Sequence, residues 1–276
     1  MTDEEIIGRL EAILDRKVAI DSLTELRQAI ATTPPVRVPL GKIAIGIDTC
    51  TFLRVGKHAK SADIIDYLGG QHSAPLILPG QAIQEFWNNH LHAIDTQSAA
   101  IKKKHEDLKR VTQQTDLEFG EYHGRFDSLL NDFEADYGYI YDESAKRRAS
   151  NFLDSIKDVA DVPYAPRSRF SEIAAYRKRT KTPPGFKDSL DGDFYIWLDF
   201  LYGLFVAKEA GRDFDKVVLI TEDNKIDWSR SGMAHPILSA EIRILLDKPF
   251  ETWTLDRLSR EIASELQPED PPSGEA

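Results

Sequence analysis

The chain of 276 residues carries one cysteine, Cys50, and two methionines. A single cysteine excludes an internal disulfide and any zinc site built on a cysteine cluster. Nothing near Cys50 in sequence would lower its thiol pKa, so it reads as a small buried residue rather than a nucleophile. Histidine is scarce as well. His58, His72, His90, His92, His105, His123 and His235 show no zinc-binding spacing, and His90 and His92, two apart, face different sides of a helix. No apolar run approaches the roughly 20 residues of a membrane helix, so no membrane partner is expected. The start, MTDEEIIGRL, is acidic and lacks the shape of a signal peptide, which predicts a cytoplasmic protein. Positive charge is in deficit, with 35 Lys and Arg against 46 Asp and Glu. The net charge of −11 excludes a generally positive surface but not a local positive groove.

What the chain does have is a set of buried-strand patterns that end in acid. GKIAIGIDTCTFL places Ile43, Ile45 and Ile47 before Asp48. APLILP at 74–79 runs directly into QAIQEFWNNHL, where Ile83, Phe86, Trp87 and Leu91 share a helical face and Glu85 lies one to two turns into the helix. KVVLITEDNKIDW gives a third strand, Val217 to Thr221, followed by Asp223, and PFETWTL at 249–255 reads as a last edge strand. Helices are expected over 3–16, over about 22–31, and from Asp193 onward through a strongly apolar stretch. Strands alternating with helices predict a three-layer α/β/α sandwich with a central, mostly parallel sheet.

The segment from about 95 to 165 reads as an inserted helical hairpin turned at YGYIYDES, with Phe119, Tyr122, Phe126, Leu130, Phe133 and Tyr137 on one apolar stripe. Phe152, Leu153, Ile156 and Val159 make a second stripe, and the insertion is the expected surface for a protein partner. Residues 1–40 are expected to pack as helices on a core domain spanning 41–262, and 267–276 to form a disordered acidic tail. The four tryptophans, Trp87, Trp197, Trp228 and Trp253, are assigned to the core.

In a parallel sheet the site lies outside the carboxyl ends of the strands. Asp48, Glu85, Asp193 and Asp223 can all reach that rim. Each has an ordinary alternative: Asp193 as a helix-start residue, Asp223 as a turn residue, Glu85 facing solvent. Together they pose an electrostatic problem. Two carboxylates about 4 Å apart repel by roughly 4 kcal/mol at an effective dielectric near 20. A hard divalent cation with oxygen ligands, Mg²⁺ or Mn²⁺, is the usual remedy.

IGIDTCTFL, LPGQAIQEFWNN, KTPPGFKDSLDGDFYIWLDFL and VVLITEDNKIDW, in this order, resemble the PIN-domain nucleases, and within them a PIN-like branch with a PPG…KD…GD…W block. The resemblance covers 43–56, 75–90 and about 176–240. It implies a metal-dependent nuclease whose acids fall on Asp48, Glu85, Asp193 and Asp223, with Asp188 and Asp227 as auxiliary ligands and Thr221 as the family's small hydroxyl residue. Which of Asp188, Asp191 and Asp193 faces the metal stays open.

The implied reaction is phosphodiester hydrolysis by a metal-bound water, which suits a chain with no visible Ser-His or Cys-His arrangement. Single-stranded RNA is favoured over DNA as the partner. The basic span Arg167, Arg169, Arg177, Lys178, Arg179, Lys181 and Lys187 reads as a loop beside the acids. Lys187 and Arg177 are its expected phosphate contacts, with Thr49 and Thr221 beside the substrate. Biological roles in RNA processing, toxin action or defence all fit. Two rivals remain: a catalytically silent PIN-like binding or scaffold module, and a haloacid-dehalogenase-like phosphatase. The latter wants a second Asp two residues after the first, where this chain has Cys50.

Overall fold

The computed structural model describes residues 1–31, 37–91, 144–223 and 225–266, with short helical pieces between 103 and 132. The stripe from Phe119 to Tyr137, most of the expected hairpin with its partner surface, His92, His105, His123 and the tail 267–276 lie outside the described residues.

Five strands form one sheet in the order β3–β2–β1–β4–β7, every neighbouring pair parallel. They are β1 (Ile43–Ile47), β2 (Leu76–Ile77), β3 (Ala160–Asp161), β4 (Lys216–Ile220) and β7 (Phe250–Trp253). A separate antiparallel ribbon pairs β5 (Ser229–Arg230) with β6 (Met233–Ala234). β1 and β4 are buried at all ten positions, as strands covered on both faces must be, and this explains their unbroken apolar runs. The chain leaves β1 toward β2 on one side and later returns to β4 on the other. The crevice of this α/β sheet therefore opens above the carboxyl ends of β1 and β4.

Helices cover both faces. α1 (Asp3–Leu14) starts with a capping box between Thr2 and Glu5 and buries Ile6, Ile7, Leu10, Ile13 and Leu14. α2 (Ser22–Ile30) lies on α9 (Pro236–Leu246). Two short helices, α3 (Thr49–Val55) and α4 (Ser61–Asp66), follow β1, and α5 (Gly80–Glu85) follows β2. α6 (Ser144–Ile156) buries Ala149, Phe152 and Ile156 against α3 and α4, with the Phe52 and Phe152 rings 6.2 Å apart. Of the second expected stripe, Val159 is exposed.

α8 (Gly192–Glu209) is apolar almost all round because it is the central helix, enclosed by the sheet, α1, α5 and α9. Its one fully buried acid, Asp199, takes both guanidinium arms of Arg167 at 2.7 Å and the backbone N–H groups of Gln81 and Ala165. α10 (Leu255–Leu266) closes the described chain.

Two expectations fail here. The basic span before Asp188 is a helix over most of its length, α7 (Arg167–Arg179), whose buried Phe170, Ile173, Ala174 and Arg177 have helical spacing. Trp87 is not core. It is 72% exposed, whereas Trp197, Trp228 and Trp253 are buried.

Candidate metal centre

Asp48 follows β1 directly. Its backbone N–H continues the ladder to the carbonyl of Ile220, and its side chain opens α3 as the N-cap, with Oδ1 accepting from the Thr49 N–H at 2.6 Å. Oδ2 accepts from the Thr221 hydroxyl at 2.7 Å and from the Cys50 thiol at 3.1 Å. Burial raises the Asp48 pKa, and these three hydrogen bonds oppose the rise. Thr221 also accepts the Asp223 N–H at 3.0 Å, so one hydroxyl links the acids at the ends of β1 and β4.

Glu85 ends α5. Its Oε1 accepts from the Gln81 amide at 3.1 Å, one helical turn back. Burial raises its pKa, as do the charges of Asp48 and Asp188. A Cβ on Gly192 would stand 1.9 Å from that Oε1, so the glycine opening α8 is what lets the carboxylate come so close.

Asp193 follows in the first turn of α8 and accepts from the Trp228 indole at 3.0 Å. Burial and the hydrogen bond shared with Asp188 push Asp193 up to about 8. Burial also acts to raise Asp188, but the bonds from Asp193 and Lys225 outweigh it and hold Asp188 below the ordinary range. The two carboxyl groups thus titrate as a pair, with Asp193 pushed up and Asp188 held down.

The loop that carries Asp188 is pinned from below. Asp227 is fully buried, and its Oδ2 accepts the N–H groups of Gly185 and Lys187 at 3.1 and 3.3 Å. Gly185 has φ +86° and would bring a Cβ within 3.1 Å of the Asp193 Cβ, so the Pro-Pro-Gly turn needs a glycine twice over. Asp227 thus positions the Asp188 loop through Oδ2, while its buried Oδ1 has no hydrogen-bond partner among the described residues.

Among Asp188, Asp191 and Asp193, the first and third join the cluster. Asp191 turns away to Lys178, at 3.1 Å.

At the centre stands a residue that sequence reasoning passed over. The Lys225 ammonium lies 2.8 Å from Asp188 Oδ2, 2.9 Å from Asp223 Oδ2 and 3.4 Å from Asp193 Oδ2. Burial would lower its pKa, but hydrogen bonds to Asp188 and Asp223 raise it instead, so it stays charged. Its only signal in sequence was a lysine two residues after Asp223, in a stretch that reads as a turn. The ammonium holds the acids at hydrogen-bond distance, longer than the roughly 2.0–2.1 Å that Mg²⁺ demands. In keeping with this, among the described residues no group of three or more His, Cys, Asp or Glu side chains is arranged to hold a metal ion. The donor set itself, carboxylate oxygens gathered on a cation, has the chemistry of a hard-metal site.

The expected substrate contacts fare differently. Arg177 is buried and turned inward: it pairs with Glu241 at 2.7 Å and donates to the carbonyls of Leu14 and Pro183, with only its Nε unpartnered among the described residues, so its guanidinium does not face solvent. Arg167, Arg169 and Lys178 are likewise engaged, with Asp199, with Glu4 and Glu11, and with Asp191. Arg179, Lys181 and Lys187 are exposed. Thr49 and Thr221 are buried beside Asp48, Thr221 donating to its carboxylate and the Thr49 hydroxyl having no hydrogen-bond partner among the described residues. Cys50 is only partly buried, and its thiol is pushed up by burial and by the Asp48 charge, so it stays protonated.

Among the described residues no helix is long and apolar enough to cross a membrane. No curated protein and no solved structure matches the chain. A family model described as PIN like domain matches residues 57–241. The match takes in Glu85, Asp188, Asp193, Asp223 and Lys225 and begins nine residues after Asp48. Two thirds of the chain lies within it, with β2, β3 and β4 of the parallel sheet and most of the clustered acids, and the chain belongs to the PIN-like domain family, a nuclease-type superfamily.

Proposed function

We propose that the protein is a metal-dependent endonuclease acting on single-stranded nucleic acid, RNA in preference to DNA. Asp48, Glu85, Asp193 and Asp223 would hold Mg²⁺ or Mn²⁺, with Asp188 as a fifth carboxylate. The observation that carries this reading is that Asp188, Asp193 and Asp223 gather within 3.4 Å of one ammonium at the carboxyl end of a parallel sheet, with Glu85 and Asp48 close enough for their charges to act on the same cluster.

When bound, such an ion lowers the pKa of a water and offsets charge on the phosphate oxygens. The chain's own residues do the rest. Thr221 and Cys50 aim one oxygen of Asp48 and fix its lone pairs. Gln81 orients Glu85. Asp227 holds the Asp188 loop against α8. Lys187, exposed beside Asp188, supplies positive potential for a phosphate, with Arg179 and Lys181 nearby in sequence. Trp87, exposed two residues after Glu85, offers a ring on which an unpaired base can stack, which favours a single strand.

The test is cleavage of labelled single-stranded RNA and DNA with Mn²⁺, Mg²⁺ or EDTA, comparing the native protein with Asp48→Asn. Cleavage that needs the metal and disappears in the variant is the expected result. Equal cleavage by both proteins would sink the assignment. A second reading, a silent binding module, draws on Lys225 already filling the place of a cation. It gains if the protein binds nucleic acid but neither variant nor native chain cleaves it.

A further inference from the structure

The three acids that Lys225 touches come from the Pro-Pro-Gly loop, the start of α8 and the end of β4. An ammonium has three donors and no acceptor, and here it meets three carboxylates. Its charge also acts on Glu85. These are the groups to which the proposed function gives a divalent ion, and the inference rests on that reading. Ammonium and ion cannot both sit on the same oxygens, because like charges a few ångströms apart in a partly buried site repel strongly.

The lysine is built to leave. Its backbone is fixed, with the N–H on Asp223 Oδ1 at 2.9 Å and the carbonyl accepting from Trp228 and Ser229 at 3.0 and 3.1 Å. Its side chain is 36% exposed on a flexible four-carbon stem, so the head can swing to solvent without disturbing the loop.

We propose that Lys225 is a tethered counter-ion that occupies the cation seat of the acid cluster in the resting protein and is displaced when a divalent metal binds. The acids are then compensated without metal, and loading becomes a competition. If the head leaves the seat open in one molecule in ten, the apparent metal affinity is about tenfold weaker than the intrinsic one.

The experiment pairs two measurements on the full chain. Mn²⁺ binding is followed by the electron-spin-resonance signal of the free ion, for the native protein and for Lys225→Met. Acetylation of native Lys225 by an N-hydroxysuccinimide ester is followed by mass spectrometry with and without Mn²⁺, normalised to Lys60, which lies outside the cluster. Displacement predicts that Mn²⁺ raises Lys225 labelling several-fold and that Lys225→Met binds Mn²⁺ about tenfold tighter. Should the variant fail to fold, labelling of the native chain decides alone. Native protein that binds Mn²⁺ with Lys225 labelling unchanged overturns the inference and leaves the metal-site reading standing. Mn²⁺ binding by the variant alone also overturns it, since the lysine would then hold the seat permanently. No Mn²⁺ binding by either protein overturns both.

Discussion

Gly192→Ala separates what is good for the fold from what is good for the site. Alanine is the better helix former, by up to about 1 kcal/mol, and the position opens α8 without a positive φ. Yet its methyl carbon would stand 1.9 Å from Glu85 Oε1. Packed carbons do not approach within 3.0 Å, so the oxygen must retreat by about 1 Å or more, and a misplacement of that size in a reacting site costs on the order of 100-fold. Glu85 can yield at little cost to the fold, since the clashing atom is the far end of a flexible side chain. The expected outcome is a thermal midpoint equal to or above the native one, with cleavage reduced on the order of 100-fold. A double-mutant cycle with Glu85→Gln sharpens the test. If the glycine acts only by making room for Glu85, the double variant is no worse than Glu85→Gln alone. Native cleavage by Gly192→Ala, or additive losses in the cycle, would refute the claim that this carboxylate works from its observed position.

Glu241, fully buried, accepts from Arg16 at 2.6 Å, from Arg177 at 2.7 Å and from the Trp197 indole at 2.7 Å. Glu241→Gln leaves the buried Arg177 charge unpaired and should cost about 3–5 kcal/mol in urea unfolding; a loss below about 1 kcal/mol would show that Arg177 finds solvent, and with it a path to phosphate. His72 gives a pH signature. Burial lowers its pKa from 6.5 to about 4, so the folded state refuses a proton that the unfolded chain accepts. Its stabilising contribution is complete above pH 6.5 and is lost as pH falls toward 4, by up to about 3 kcal/mol. The stability difference between the native chain and His72→Gln should shrink across that window, and a difference independent of pH would contradict the burial argument.

Much of the sheet was legible because its strands are buried on both faces. IAIGI and KVVLI leave no choice of face, so hydrophobic runs alone locate β1 and β4, and the acid that ends each run marks the rim. β3 had no such mark: it is two residues, Ala160 and Asp161, half-buried at the sheet edge and paired only with β2. α7 was misread for a different reason. Seven basic residues between 167 and 187 suggest a solvated loop, but most of those within the helix are spent on acids far away in sequence, such as Glu4, Glu11, Asp199 and Glu241. Charge counts see the cations and not their partners. The buried positions Phe170, Ile173, Ala174 and Arg177 carried the helical period all along.

The electrostatic problem of the site was legible before its answer. Several carboxylates at one rim demand positive charge, and the sequence argument supplied a hard divalent metal as the usual remedy. The fold brings Asp188 and Asp193 across to a lysine 37 and 32 residues away, while Asp223 lies only two residues from it. Local reading weighed Asp223 as a turn residue or a ligand and passed over the lysine. What no local pattern contains is that the turn is the means of aiming the lysine: Asp223 Oδ1 holds the Lys225 N–H while its Oδ2 faces the ammonium. The same carboxylate therefore builds the turn and shares the charge. A cluster compensated in this way can fold and persist without metal, which removes the need for the ion as a structural element. If an ion binds there, its work is chemistry rather than folding, and its removal should leave the thermal midpoint nearly unchanged while abolishing cleavage.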